Sequence, residues 1–185
     1  MRTFGVTKNY EPPQEGAQHV VVSDEIELGL QASFDGTDKN WQYGVRLEFP
    51  ADKTEEGTPK TIWVAVNESL HPKSRLGKIF AAIGRMPARG EDVSIAKLHG
   101  GNMTVVIEHV IKEDRKYANV VSFTKLPPGA QPVEPVISRG NVPEWLQKKQ
   151  IAGGMASATP SVNATYTSEA EKVKAEITAG CDQKW

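Results

Sequence analysis

The chain has 185 residues, a formal net charge of −1 and 38% hydrophobic residues, which suits one domain with some polar chain outside its core. Its single cysteine, Cys181, excludes a disulfide framework, and no apolar run approaches the roughly 18 residues that a membrane span needs. The charge is uneven: Glu11 to Glu68 holds 4 Lys/Arg against 12 Asp/Glu, while His71 to Lys116 holds 9 against 5, which points to a basic surface region in the second half.

Residues 1–15 are polar, carry Pro12-Pro13 and read as an N-terminal arm. A long strand pattern starts at Gly16. Val20, Val22, Ile26, Leu28 and Leu30 share one parity, broken only by Asp24, and Gly29 can help the strand bend. Asp35-Gly36 signals a hairpin turn. In the second strand, Trp41–Phe49, residues Trp41, Tyr43, Val45, Leu47 and Phe49 form the predicted core face; Gln42, Gly44, Arg46 and Glu48 form the other. The third strand, Lys60–Asn67, turns Ile62, Val64 and Val66 inward and Trp63 outward, beside Thr61 and Ala65.

A helix is predicted over 72–84 from the apolar stripe Leu76, Ile79, Phe80 and Ile83, with Pro72 in its first turn and Ser69 or Ser74 as cap. Pro87–Leu98 holds a second short helical turn, broken by Gly100-Gly101. The fourth strand, Asn102–Ile111, is apolar and β-branched. Lys112–Lys116 makes a hairpin with three cations, and Tyr117–Lys125 is the last strand. Beyond it, residues 128–150 read as a linker: Pro127–Gly140 holds four prolines, and a short helix at Asn141–Leu146 carries Trp145 as an aromatic anchor. Residues 151–185 read as a flexible C-terminal tail, rich in Ala, Gly, Ser and Thr up to Tyr166. Its Ser168-Glu169-Ala170-Glu171 is a capping-box pattern ahead of a narrow stripe of Ala170, Val173 and Ile177.

Three strands, a helix and two further strands make the layout of an OB-fold barrel, which binds oligonucleotides on its strand 2–3 face and adjoining loops. The predicted fold class is therefore mainly β: a five-stranded OB-fold-like barrel over 16–127, with a helix between strands 3 and 4 and a flexible C-terminal tail. Catalytic chemistry is not expected. His19, His71, His99 and His109 lack metal-type spacing, so neither a metal nor a cofactor is predicted. Gly77-Lys78 is not a phosphate loop, because no glycine lies five residues earlier and Ile79 replaces the hydroxyl residue.

At Ser69-Leu70-His71-Pro72-Lys73-Ser74-Arg75-Leu76, then Leu98-His99-Gly100 and Tyr117-Ala118-Asn119-Val120, the chain resembles a group of phage and prophage proteins. These are small OB-fold proteins read as single-stranded DNA-binding or replication accessory proteins. They share a serine-leucine-histidine-x-lysine-serine helix start, a leucine-x-glycine before strand 4 and a tyrosine-alanine-asparagine opening to strand 5. The match covers about Gly16–Gly129. Gly101 stands where the group usually carries lysine. The chain ends Cys181-Asp182-Gln183-Lys184-Trp185 rather than in the acidic, proline-phenylalanine tip of bacterial single-strand-binding proteins, so that recruiting end is not carried over. The resemblance implies single-stranded DNA as partner, a role in phage DNA replication or recombination, and the cytoplasm of a bacterial host as location. Phage or host replication and recombination proteins are candidate partners for the tail. No membrane association is implied, and homo-oligomerisation is left open.

Two functions follow from the residues. In the first, a groove tracks phosphates with Arg46, Lys112, Arg115 and Lys116, while Trp63 and Tyr117 stack on bases. In the second, a protein-interaction adaptor or inhibitor keeps the barrel without the nucleic-acid groove; the acidic N-terminal half favours it.

Overall fold

The computed structural model describes residues 11–33, 36, 38–112 and 115–155. The protein is mainly β. Strands β1 (Gly16–Ala32), β2 (Lys39–Lys53) and β3 (Pro59–Asn67) are followed by helix α1 (Arg75–Ala82), a 3-10 turn (Ile95–Leu98), strands β4 (Asn102–Lys112) and β5 (Arg115–Thr124), and helix α2 (Glu144–Ala152). The five strands form one antiparallel sheet in the order β3-β2-β1-β4-β5.

The sheet does not close into the predicted barrel. Among the described residues β3 and β5 are its two ends and are not paired with each other. Helix α1 touches β3, β4 and β5, so it fills in on the side where the sheet stays open. Both end strands nonetheless feed one core. Val64 and Val66 of β3 and Val120 of β5 pack with Val20, Val22, Val45, Leu47, Phe49, Met103, Val105 and Ile107, and with Leu76, Ile79 and Phe80 of α1. Helix α1 is shorter than the 72–84 prediction. Ser74 is its cap, its hydroxyl accepting from the Gly77 N–H at 3.0 Å, so Pro72 lies before the helix.

Strand β1 departs from its expected alternation. Register shifts fall between Val22 and Asp24 and again between Glu27 and Gly29, leaving Ser23 and Leu28 as extra residues. Such bulges raise local twist and re-aim the side chains beyond them. Val20 and Val22 face the core, but Asp24 comes opposite Arg46 and Ile26 opposite Gly44 on the outer face. A Cβ on Gly44 would meet the Ile26 side chain at 3.0 Å and the Trp63 ring at 3.4 Å, so the glycine makes room for both.

The presumed linker is a strap laid on the sheet. Val133, Pro135 and Ile137 are half-buried in alternation with exposed Glu134, Val136 and Ser138, the pattern of an extended segment with one face covered. Helix α2 then packs on β1. Its anchor is Leu146, fully buried, whereas Trp145 is 49% exposed with Lys149 over its ring at 6.0 Å. The first residues of the expected tail belong to this docking: Leu30 N–H donates to the Gly153 carbonyl at 3.2 Å, and a Cβ on Gly153 would lie 1.9 Å from the Leu28 carbonyl oxygen. The rest of the expected tail, 156–185, and residues 1–10 of the arm lie outside the described residues. The arm's end is held: His109 Nε2 lies 2.7 Å from the Pro13 carbonyl, and Gln14 N–H donates to Asp52.

Candidate nucleic-acid interface

The expected site residues fall into two groups. Arg46 and Trp63 sit directly opposite each other on β2 and β3, with the guanidinium 5.5 Å from the ring centroid. Lys112, Arg115, Lys116 and Tyr117 lie together at the β4–β5 hairpin. The two groups belong to different pairs of strands, separated in the sheet by β1.

The expectation that Arg46 supplies charge to an open groove is corrected. Its side chain is 2% exposed. Its Nε donates to Ser23 Oγ at 2.8 Å, and Nη2 donates to the carbonyls of Ile137 and Ser138 at 3.2 and 2.8 Å. Asp24 Oδ2 lies 3.7 Å away as counter-ion. Outward parity put Arg46 on the right face, but the strap covers that face. Trp63 does lie on the outer face, half-buried beside Arg46 and Ile26.

The strap is held by a network that sequence reasoning missed. Glu48, fully buried, accepts the N–H of Val136 at 2.9 Å and of Ile137 at 3.1 Å. Asp24 Oδ2 accepts the Gly140 N–H at 2.9 Å, and Asn102 exchanges hydrogen bonds with both backbone groups of Val133. Removing a carboxylate and a guanidinium from water costs several kcal/mol per ion unless their hydrogen bonds are satisfied. Here successive backbone groups of the strap satisfy them. The signal available beforehand was the period-two pattern Val133, Pro135, Ile137 inside a stretch whose prolines suggested a linker.

At the far end of the strap, Arg139 joins Glu25 and His99. Its Nη2 donates to Glu25 Oε1 at 2.5 Å and its Nε donates to His99 Nδ1 at 3.1 Å. Glu25 Oε2 is buried without a hydrogen bond to any described residue, 3.5 Å from His99 Nδ1. Burial pushes the Glu25 carboxyl up to about 7 against the pull of Arg139, and burial, then Arg139, pushes the His99 imidazole down. Among the described residues no group of histidines, cysteines and carboxylates could hold a metal ion. Nor is any helix there long and apolar enough to cross a membrane.

The hairpin is open to solvent. Lys112, Arg115 and Lys116 are exposed, and Tyr117 is 44% exposed. Val110, Lys112, Tyr117, Ala118 and Asn119 line a concavity of about 460 Å³. No protein-family model matches the chain, and no curated protein matches it.

Proposed function

We propose that this chain binds single-stranded DNA and serves phage-type DNA replication or recombination, on an OB-type sheet. The observation that carries the proposal is the exposed β4–β5 hairpin, where Lys112 and Arg115 share a face with Tyr117 and Lys116 lies on the other. A cation track beside an aromatic platform is what sequence-tolerant single-strand binding requires: charge for the phosphates, a π-face for the bases. Strand order supports the reading. In an OB-fold, a partly open five-stranded Greek-key barrel, the loop between strands 4 and 5 borders the oligonucleotide site, and this hairpin occupies that position in the chain. The resemblance of the Ser69–Leu76, Leu98–Gly100 and Tyr117–Val120 segments to phage and prophage proteins points the same way.

A second reading, the protein-interaction adaptor or inhibitor, is favoured by one observation. The strap closes the outer face of β2, where OB-folds meet nucleic acid, with Arg46 and Glu48 already engaged. Fluorescence anisotropy with a labelled, unstructured oligodeoxynucleotide at two salt concentrations decides between them. Single-strand binding that weakens as salt rises is the expected result. No salt-sensitive binding leaves the adaptor.

A further inference from the structure

Resting on the single-strand reading, we propose that the outer face of the β4–β5 hairpin is a nucleotide subsite. In it Tyr117 stacks on a base, Lys112 and Arg115 hold the flanking phosphates, and Asn119 meets the base edge. The strand thus runs on this hairpin and not across β2 and β3.

Cross-strand register sorts the hairpin's side chains into two faces. Ile107 pairs with Val120, both in the core, and His109 pairs with Ala118, which packs against the core. The alternate pairs must point the other way. They are Glu108 with Asn119, Val110 with Tyr117, and Lys112 with Arg115. One solvent-facing surface therefore carries an aromatic ring, an aliphatic neighbour, two cations and a side-chain amide, all exposed. Lys116 pairs with Ile111 on the opposite face, away from Tyr117. The three hairpin cations that look equivalent in sequence are not equivalent in place.

Charge favours one placement of the phosphates. Lys112 and Arg115 make no ion pair with another described residue. Among the described residues Glu108 is the anion on this face and lies opposite Asn119, so phosphates are disfavoured beside Asn119; Glu113 and Asp114, which link Lys112 to Arg115 in the sequence, lie outside the described residues. The base is then left beside Tyr117 and Asn119. A carboxamide offers both a donor and an acceptor, which matches the mixed edge of a nucleobase. The concavity of about 460 Å³ lined by Val110, Lys112, Tyr117, Ala118 and Asn119 is open to solvent, which suits a base stacked on a surface rather than one enclosed. On β2 the corresponding cation is unavailable, since the Arg46 side chain is buried, with its Nε on Ser23 and its Nη2 on the strap.

The test uses the full chain and a fluorescein-labelled oligodeoxythymidylate of about 16 nucleotides, an OB-fold's upper site size. All the variants are at exposed or half-buried positions, and far-UV circular dichroism checks their fold. Tyr117→Ala is expected to weaken binding about tenfold or more. Lys112→Ala and Arg115→Ala are each expected to make the log–log salt dependence shallower by about 0.7, and Lys116→Ala to change it less. Asn119→Ala is expected to narrow the spread of affinities among the four homopolymers. If Trp63→Ala weakens binding more than Tyr117→Ala, or Lys116→Ala flattens the salt slope more than Arg115→Ala, the subsite is overturned while single-strand binding stands. If the parent protein shows no salt-sensitive binding, the functional reading falls and the subsite with it.

Discussion

Glu48 is the position at which the strap's attachment is most directly measured. Its carboxylate, fully buried, takes two successive backbone N–H groups, from Val136 and Ile137. Hydrogen bonds to an ionised group contribute about 1.5–3 kcal/mol each, so the pair amounts to roughly 3–6 kcal/mol. Val136 is 74% exposed, so its amide regains water once the carboxylate is gone. The expected cost of Glu48→Ala is therefore near the low end, about 3 kcal/mol. Glu48→Gln keeps one acceptor but sets its NH2 against the other backbone N–H, so it should recover little of the loss. In urea denaturation the Glu48→Ala loss appears as a lower midpoint at unchanged slope, and in thermal unfolding as a fall of roughly 6–12 °C. Amide hydrogen exchange adds the local test. If the strap opens by itself, the Val136 and Ile137 amides should lose about a hundredfold of protection while the β4 amides lose little. A stability change below about 0.5 kcal/mol, together with unchanged protection at both amides, would refute the account of how the strap is held.

The carboxyl of Glu25 is raised to about 7 in the folded state from an ordinary 4.5, so its contribution to stability is complete below about 4.5 and is lost as pH rises through about 7. Glu25→Gln should flatten that fall in urea midpoints measured across this range; an unchanged pH profile would show that the buried carboxyl does not govern it. Gly153→Ala places a methyl 1.9 Å from the Leu28 carbonyl oxygen and should undock α2, at a cost of about 2 kcal/mol from the loss of Leu146 burial, read as faster proteolysis within 144–155 with the sheet intact. Ser74→Ala removes the hydroxyl that caps α1 and should cost about 1 kcal/mol by urea titration; no loss would mean that the Gly77 N–H finds another acceptor.

How far the sequence could be read depended on where bulges fall. Within 41–49 and 60–67 the pairing of β2 with β3 runs without a shift, and the alternation put Val45, Leu47, Phe49, Val64 and Val66 inside and Trp63 outside, as found. In β1 two bulges intervene, so Ile26 emerges on the outer face beside Gly44 although its parity matches that of Val22. Asp24, the polar break in that run, marked the place. Barrel closure had no comparable local signal. It turns on whether β3 meets β5, and an apolar strand reads alike whether its outer edge is paired or not. For Arg46 the direction was legible but the exposure was not. An outward side chain on β2 is open to solvent only if nothing later in the chain covers it, and the cover comes from residues 91 and 92 positions away. Prolines added to the ambiguity, since the same fixed φ suits a free spacer and an extended strap. The hairpin's cations were visible from composition, but their division between two faces needed the register.

The strap also fixes a timetable for synthesis. β1 and β2 can pair as soon as Lys53 has been added, yet the partners of Glu48, Arg46 and Asp24 arrive 88, 92 and 116 residues later than those side chains. At about 5–20 residues per second, the wait for the strap lasts roughly 5–20 s. Through that interval the outer face of the nascent sheet presents Ser23, Asp24, Arg46 and Glu48 to water instead of a bare apolar surface. A hydrophobic version of the same seam would stand open to other nascent chains for as long. Building the seam from ions that water solvates well, and that only the finished strap satisfies in its place, lets the final closing step come late without leaving a sticky intermediate.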